Sequence, residues 1–362
     1  MNKQLSIYLD LLRFLAAFLV FASHASGFTG GLLWQISGWG HEAVVIFFVL
    51  SGFVIAYVCF DKKEDVLKYA ENRFARIYSV ALPAVLLTIF LYYVGKEING
   101  DVYTDLDKRL LNPFWTIISA LSFLNQSWTG TTFFTNLPYW SLGYEVLYYI
   151  IFGIFIFTQG IKRVVLVGVS MIVMGPSILL YFPIWLMGVL CLKLVKQYSI
   201  SLSKAVILYV ISIAGIIFLS QTVVQEMLKL FFVSLFGNNF FNMLLEPADQ
   251  FGSDYMLGFF FSLHIVSSAY IGKKYNIFSE QVGKKIRFLS SHTFSLYLYH
   301  MPILFFVATI LPSNKYPIAN FLICWMLVPI IIIFISNFTE SKKNYYKRVV
   351  RHFFVRNTLS LI

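Results

Sequence analysis

The chain has 362 residues, 59% of them hydrophobic and only 12% charged, with a mean hydropathy of +0.75. A soluble domain of this length carries far more charge, so the composition excludes a water-soluble fold and defines an all-α, polytopic membrane protein. The formal charge of +11 does not call for a nucleic-acid partner, because the basic residues sit in short segments between apolar runs, where membrane topology accounts for them.

Runs long enough to cross a hydrocarbon core of roughly 30 Å fall at about residues 6–26, 41–60, 76–95, 139–158, 162–180, 181–196, 204–221, 254–272, 289–311 and 317–338. About ten spans place both termini on one side. With the N-terminus inside, 22 of the 28 Lys and Arg fall in inner segments, five fall outside and Arg13 lies within a span. That bias predicts an N-in, C-in topology. Residues 1–340 form the transmembrane domain, and 341–362 a basic tail expected to lie on an anionic inner leaflet through Lys343, Lys347 and Arg351 beside Val349, Val350, Phe353 and Phe354. Cys59, Cys191 and Cys324 all lie in or beside apolar runs and are expected to be free thiols.

The first span, LDLLRFLAAFLVFASHASGF, resembles a signal peptide at its SHAS end, but Arg13 interrupts its apolar stretch and the segment is expected to remain uncleaved. A guanidinium near a bilayer centre costs about 2.5–3.5 kcal/mol on insertion scales, so function is its default reading. Arg13 and His24 are eleven residues apart, which returns to nearly the same helix face roughly 16 Å further on. The competing reading pairs Arg13 with Asp10 in an i,i+3 salt bridge and leaves His24 at the interface.

The second span, GHEAVVIFFVLSGF, brings His41 and Glu42 at its outer end and Ser51 and Gly52 in its middle, where small residues permit close helix approach. ENRFARIYS sets Arg73 and Arg76 one turn apart at the inner mouth of the third span. Two guanidiniums on one face can grip a phosphate, although anchoring at the inner interface also explains them. The outer loop after this span, about 97–138, holds NPFWTIISALSFLNQSW, too short to cross and expected to be a re-entrant or interfacial helix.

YWSLGYEVLYY carries Trp140 and Ser141 and places Glu145 roughly 9 Å deep in the outer half of the fourth span, a depth similar to that of His24. A carboxylate and an imidazole at one depth could form a base with its orienting partner. A second long outer loop, about 222–253, carries Glu226, Glu246, Asp249 and, at its end, Asp254, all read as loop acids. His264 in the eighth span has no evident partner and reads as core. SLYLYHMPIL puts Tyr297 and His300 mid-span before Pro302, which can kink the helix. No zinc spacing, nucleophile elbow or phosphate-binding glycine loop occurs.

LDLLRFLAAFLVFASH, FFVLSGFVIAY, RFARIY, WSLGYE and SLYLYHMPI, in this order and on these spans, resemble the membrane acyltransferase-3 family of bacterial surface-glycan O-acetyltransferases. The resemblance implies transfer of an acetyl group from cytoplasmic acetyl-CoA to a sugar hydroxyl on the outer side of the bacterial inner membrane. Its preferred acceptor is an O-antigen or lipopolysaccharide unit, expected to be lipid-linked, with capsule, exopolysaccharide or peptidoglycan behind it. No metal is implied. Arg13 and His24 match the family's first-span pair, Arg73 and Arg76 its basic pair, and Glu145 its acidic position after WSL. His24 would be general base or acyl carrier, Glu145 would fix its tautomer, and Arg13, Arg73 and Arg76 would hold the donor. Asp10, Ser51, Trp140, Ser141, Tyr297 and His300 are candidate supporting residues. The chain departs from the family pattern at Val45, where an acidic residue is common, with Glu42 as the possible substitute, and at Ser79, where a proline is common. The rival reading is a transporter or flippase of a lipid-linked sugar, which predicts paired inverted repeats; none is visible.

Overall fold

The computed structural model describes residues 1–110, 112–128, 130–237, 248–348 and 351. Glu246 and the tail residues Val349, Val350, Phe353 and Phe354 lie outside them. Helix α1 (Lys3–Phe28) leads to a 3₁₀ turn (Trp34–Trp39) and α2 (Gly40–Phe60), then α3 (Val66–Ile98). The outer loop contributes two short helices, α4 (Thr104–Arg109) and α5 (Pro113–Leu121). Helices α6 (Trp140–Phe157), α7 (Gly160–Gln197), α8 (Leu202–Leu219) and α9 (Thr222–Phe236) follow. The chain closes with α10 (Phe251–Lys274), α11 (Glu280–Ser290), α12 (Thr293–Ile310), α13 (Pro317–Leu322), a π-helical turn (Ile323–Leu327) and α14 (Val328–Phe338). No named strand occurs among the described residues. Only helices and closed barrels satisfy their backbone hydrogen bonds in lipid, and this chain uses helices.

Nine helical segments among the described residues are long and apolar enough to cross a membrane. One of them crosses twice. Helix α7 has 38 residues, about 57 Å at 1.5 Å per residue, nearly twice the hydrocarbon thickness. Its regular geometry breaks at Gly175, with φ 74° and ψ 173°, a conformation that side chains other than glycine's resist. Pro176 follows, where a missing N–H is tolerated in a first turn. The break lies on the outer side: Trp128 Nε1 donates to the Ile172 carbonyl at 2.7 Å and Ser127 Oγ to that of Val173. The far end returns inside, where Lys196 pairs with Asp61 between α2 and α3. The fifth and sixth spans therefore exist, but they divide at Gly175 rather than at residue 180.

Other boundaries move for local reasons. Asp65 caps α3 by accepting from the Lys68 N–H at 2.8 Å, so the helix begins ten residues before the apolar run and carries Arg73 and Arg76 within it. The expected ninth span, 289–311, starts later, at Thr293, because Ser279 caps a separate inner helix, α11, holding Lys284, Lys285 and Arg287. The outer segment after Asn112 forms only the nine-residue α5, with Phe114 and Trp115 exposed, as an interfacial helix would. The described part of the tail packs back on α3: Lys347 Nζ donates to Asn72 Oδ1 at 2.8 Å and Arg351 lies 3.9 Å from Glu71. The three cysteines are free and buried.

The tightest helix crossing is that of α2 on the second half of α7. A Cβ on Gly52 would stand 2.0 Å from the Trp185 carbonyl oxygen, and one on Gly188 would stand 2.0 Å from that of Val49. Backbone meets backbone there, and neither wall is a flexible side chain. Gly52→Ala should therefore destabilise the detergent-solubilised protein by about 1–3 kcal/mol through overpacking, seen as a lower thermal midpoint. Gly168→Ala, which meets nothing within 4 Å, should leave the midpoint unchanged.

Candidate active site

Two cavities open on opposite sides of the bundle and share two lining residues, Val44 and Tyr297. The inner one is lined by Arg13 of α1, Ser51 of α2, Arg73 and Arg76 of α3, Ser141, Glu145 and Tyr149 of α6, and Thr293 and Tyr297 of α12. Three guanidiniums face one carboxylate, so the cavity carries positive charge beneath the bilayer surface. Arg13 Nη1 is 3.6 Å from Asp10 Oδ1, the i,i+3 pair the sequence allows, and the same side chain also faces the cavity. Arg73 lies over the rings of Tyr69 and Tyr149 at 5.9 and 5.8 Å. Its Nε and Nη1 are buried with no hydrogen-bond partner among the described residues. Buried donors without acceptors cost about 1–3 kcal/mol each, more when charged, and an anion entering the cavity would remove that cost.

Glu145 accepts from Ser51 Oγ at 2.9 Å and from the Tyr149 hydroxyl, and Ser51 in turn accepts from Trp185 Nε1 at 3.2 Å. Ser51 thus holds the carboxylate, while Gly52 beside it does the packing.

The outer cavity is lined by Ser23, His24, Ser37, His41, Trp140 and Tyr297 among others. His24 Nδ1 is 2.9 Å from His300 Nε2, and His300 Nδ1 is 2.8 Å from the Leu296 carbonyl oxygen. A carbonyl only accepts, so His300 carries its proton on Nδ1 and its Nε2 is an acceptor. His24 must then donate from Nδ1. Its Nε2 is left unprotonated on a side chain that lines the cavity, and such a nitrogen can take a proton or an acyl group.

The pairing of His24 with Glu145 expected from their common depth does not form: His24 bonds His300, and Glu145 belongs to the inner cavity with Arg13, Arg73 and Arg76. Tyr297 and Val44 line both cavities. The Tyr297 hydroxyl is held between Ser141 Oγ at 2.6 Å and the Pro138 carbonyl at 3.1 Å, at the boundary of the two cavities. Trp140 borders the outer cavity, and Asp10 stays behind Arg13.

His264 has partners after all, Tyr8 and Ser212. Glu42 accepts from Gln225 of α9 and leaves Oε2 buried and unpartnered among the described residues. Sequence reasoning missed the partner of His41: Nε2 lies 3.1 and 2.9 Å from the two oxygens of Asp254, which also accepts from the Tyr181 hydroxyl. The signal for it was an aspartate in the first turn of an apolar span.

A multi-pass membrane protein with an anion-collecting cavity on one side and a paired imidazole on the other fits the class of membrane group-transfer enzymes. The model of the acyltransferase-3 family, described as an acyltransferase domain, matches residues 6–336, and the chain belongs to that family: it is a membrane acyltransferase. It is similar to acyltransferase MdmB of Streptomyces mycarofaciens, 32% identical over 154 residues, which is 39% of this chain and 36% of that protein. The match thus spans about a third of the relative's length. No solved structure matches the chain.

If Tyr297 separates the two cavities, a cysteine placed at Ser141, on the inner side of that hydroxyl, should react with a membrane-impermeant thiol reagent from the cytoplasmic face only. Adding Tyr297→Ala should open reaction from the outer face as well. The native cysteines are buried and give little background.

Proposed function

We propose that this enzyme moves an acetyl group from cytoplasmic acetyl-CoA to a hydroxyl of a surface glycan, at the outer face of the bacterial inner membrane. The observation that carries the reading is the pair of cavities that share Tyr297 and Val44, which supports separate donor and acceptor sides. The residues present suit the donor. Arg73, with its two unpaired buried donors, and Arg76, one turn away, suit the phosphates of CoA through charge-assisted hydrogen bonds. Arg13 extends that cationic wall toward the bilayer centre. The bound donor supplies an activated acyl group.

The protein's own part is to place and protonate. Glu145, held by Ser51 and Tyr149, keeps net charge in the inner cavity below that of three free guanidiniums and helps fix the wall opposite Arg13. His300 fixes the His24 tautomer, and the acceptor enters from outside, where Trp140 offers an aromatic face to a sugar ring. A lipid-linked O-antigen unit is the preferred acceptor, reached through the outer cavity from the membrane plane.

A deletion strain complemented with the wild type should regain O-acetyl signals in the NMR spectrum of its surface polysaccharide; at matched membrane expression, His24→Ala should not. Full acetylation with His24→Ala would sink the reading. Arg73→Gln with Arg76→Gln should raise KM for acetyl-CoA about 10- to 100-fold with kcat less affected, since a hydrogen bond to a charged group contributes about 1.5–3 kcal/mol. His300→Ala, which frees both His24 nitrogens, should lower kcat by about 10-fold or more while leaving that KM unchanged.

A further inference from the structure

A second imidazole faces the same outer cavity as His24. Gly40 packs so closely on α1 that a Cβ there would stand 2.3 Å from Ser23 Oγ. Ser23 and Gly40 each immediately precede one of the two histidines, so His24 and His41 leave adjoining turns of α1 and α2 and line one space. Their support differs. His24 is backed by a neutral ring. His41 is backed by a carboxylate, with Nε2 against both oxygens of Asp254 at 3.1 and 2.9 Å. Asp254 is 2% exposed and takes a second hydrogen bond from Tyr181. No Lys or Arg lies within 4 Å of it among the described residues. The His41 side chain keeps 33% of its surface exposed, and Nδ1 has no hydrogen-bond partner among the described residues. An imidazole oriented by a buried carboxylate through one nitrogen, with the other free in a cavity, is the arrangement that makes a general base.

We propose that His41, positioned by Asp254 and Tyr181, is the base that activates the acceptor hydroxyl, and that His24 Nε2 is the nitrogen that receives the acyl group. This rests on the acyltransfer reading above. In the transfer step the acceptor oxygen bonds the acyl carbon as its O–H proton passes to His41 Nδ1. The bond from that carbon to His24 Nε2 breaks, its electron pair returning to the ring, and His41 then gives the proton to water in the outer cavity. In the preceding step His24 Nε2 bonds the acyl carbon of the donor thioester and the sulfur leaves with its electron pair, taking up a proton on the inner side. The two imidazoles then act in succession.

The test uses the full-length protein in nanodiscs, acetyl-CoA, and surface polysaccharide stripped of O-acetyl groups by mild alkali. His41→Gln, which can keep an N–H toward Asp254 but is no base, should lower polysaccharide acetylation by about 10²- to 10⁴-fold. Its slow release of CoA without acceptor should stay within a few-fold of wild type, with KM for acetyl-CoA unchanged. His24→Ala should lose both activities. Tyr181→Phe, which leaves His41 in place and guards against misfolding of the first variant, should lower acetylation several-fold and leave CoA release alone.

Acetylation at the wild-type rate in His41→Gln or in Tyr181→Phe would overturn the role of His41 while the transferase reading stands. So would equal losses of acetylation and CoA release in a variant that melts like the wild type. A wild type that acetylates polysaccharide yet releases no CoA in its absence would overturn the acyl-carrier half. A wild type that does neither would overturn the acyltransfer reading itself.

Discussion

The bundle is arranged around the cost of holding charge beneath a bilayer surface. Arg13, Arg73 and Arg76 bring three guanidiniums to one cavity against a single cavity carboxylate, and at membrane depth each demands a partner, a ring face or water. Two of these solutions are visible. Arg13 has Asp10 on its own helix, and Arg73 lies between two tyrosine rings. Among the described residues Arg73 Nε and Nη1 stay unsatisfied, and donors left bare in that way suit the anion of the proposed donor.

The outer side solves the same problem with groups that can be neutral. A chain from the Leu296 carbonyl through His300 to His24 fixes each proton by the acceptor beyond it, so which His24 nitrogen is left unprotonated is set by a backbone atom of α12 two rings away. Pro302 lies two residues beyond His300 in the same helix, and the element that fixes the tautomer also carries Tyr297, which lines both cavities. Rotation or bending of α12 would therefore shift Tyr297 and the imidazole pair together.

The number of crossings and the in-span charges were legible in the sequence, because hydropathy is summed over whole segments. What depends on which helix stands beside which was not. His24 and Glu145 share a depth, and depth follows from counting residues along a helix. Their azimuths depend on packing, and the packing gave His24 to α12 and Glu145 to α2. The break in α7 escaped for a related reason: a window of about twenty residues averages over Gly175, whereas the turn depends on the φ of that one residue. Asp254 was set aside as a loop acid because nothing local announces a partner more than 200 positions away.

The two cavities together explain why such a reaction is carried out by a membrane bundle at all. In the proposed reaction, an acyl thioester inside and a hydroxyl presented outside would never meet in solution, and a hole large enough for both would leak. A boundary shared by Tyr297 and Val44 would let a small acyl group be handed across while the bulky parts of both substrates stay on their own sides. In the proposed reaction the cost of binding each substrate would be met on its own side, by arginines for phosphate and by Trp140 and the imidazoles for a sugar. Only the reacting atoms need share a space, and proximity of that kind is where orientation contributes most to rate. The glycine contact of α2 on α7, at Gly52 and Gly188, belongs to the same logic. It brings the carboxylate holder Ser51 to its position by backbone contact alone, so the wall opposite the arginines cannot drift as the substrates enter and leave.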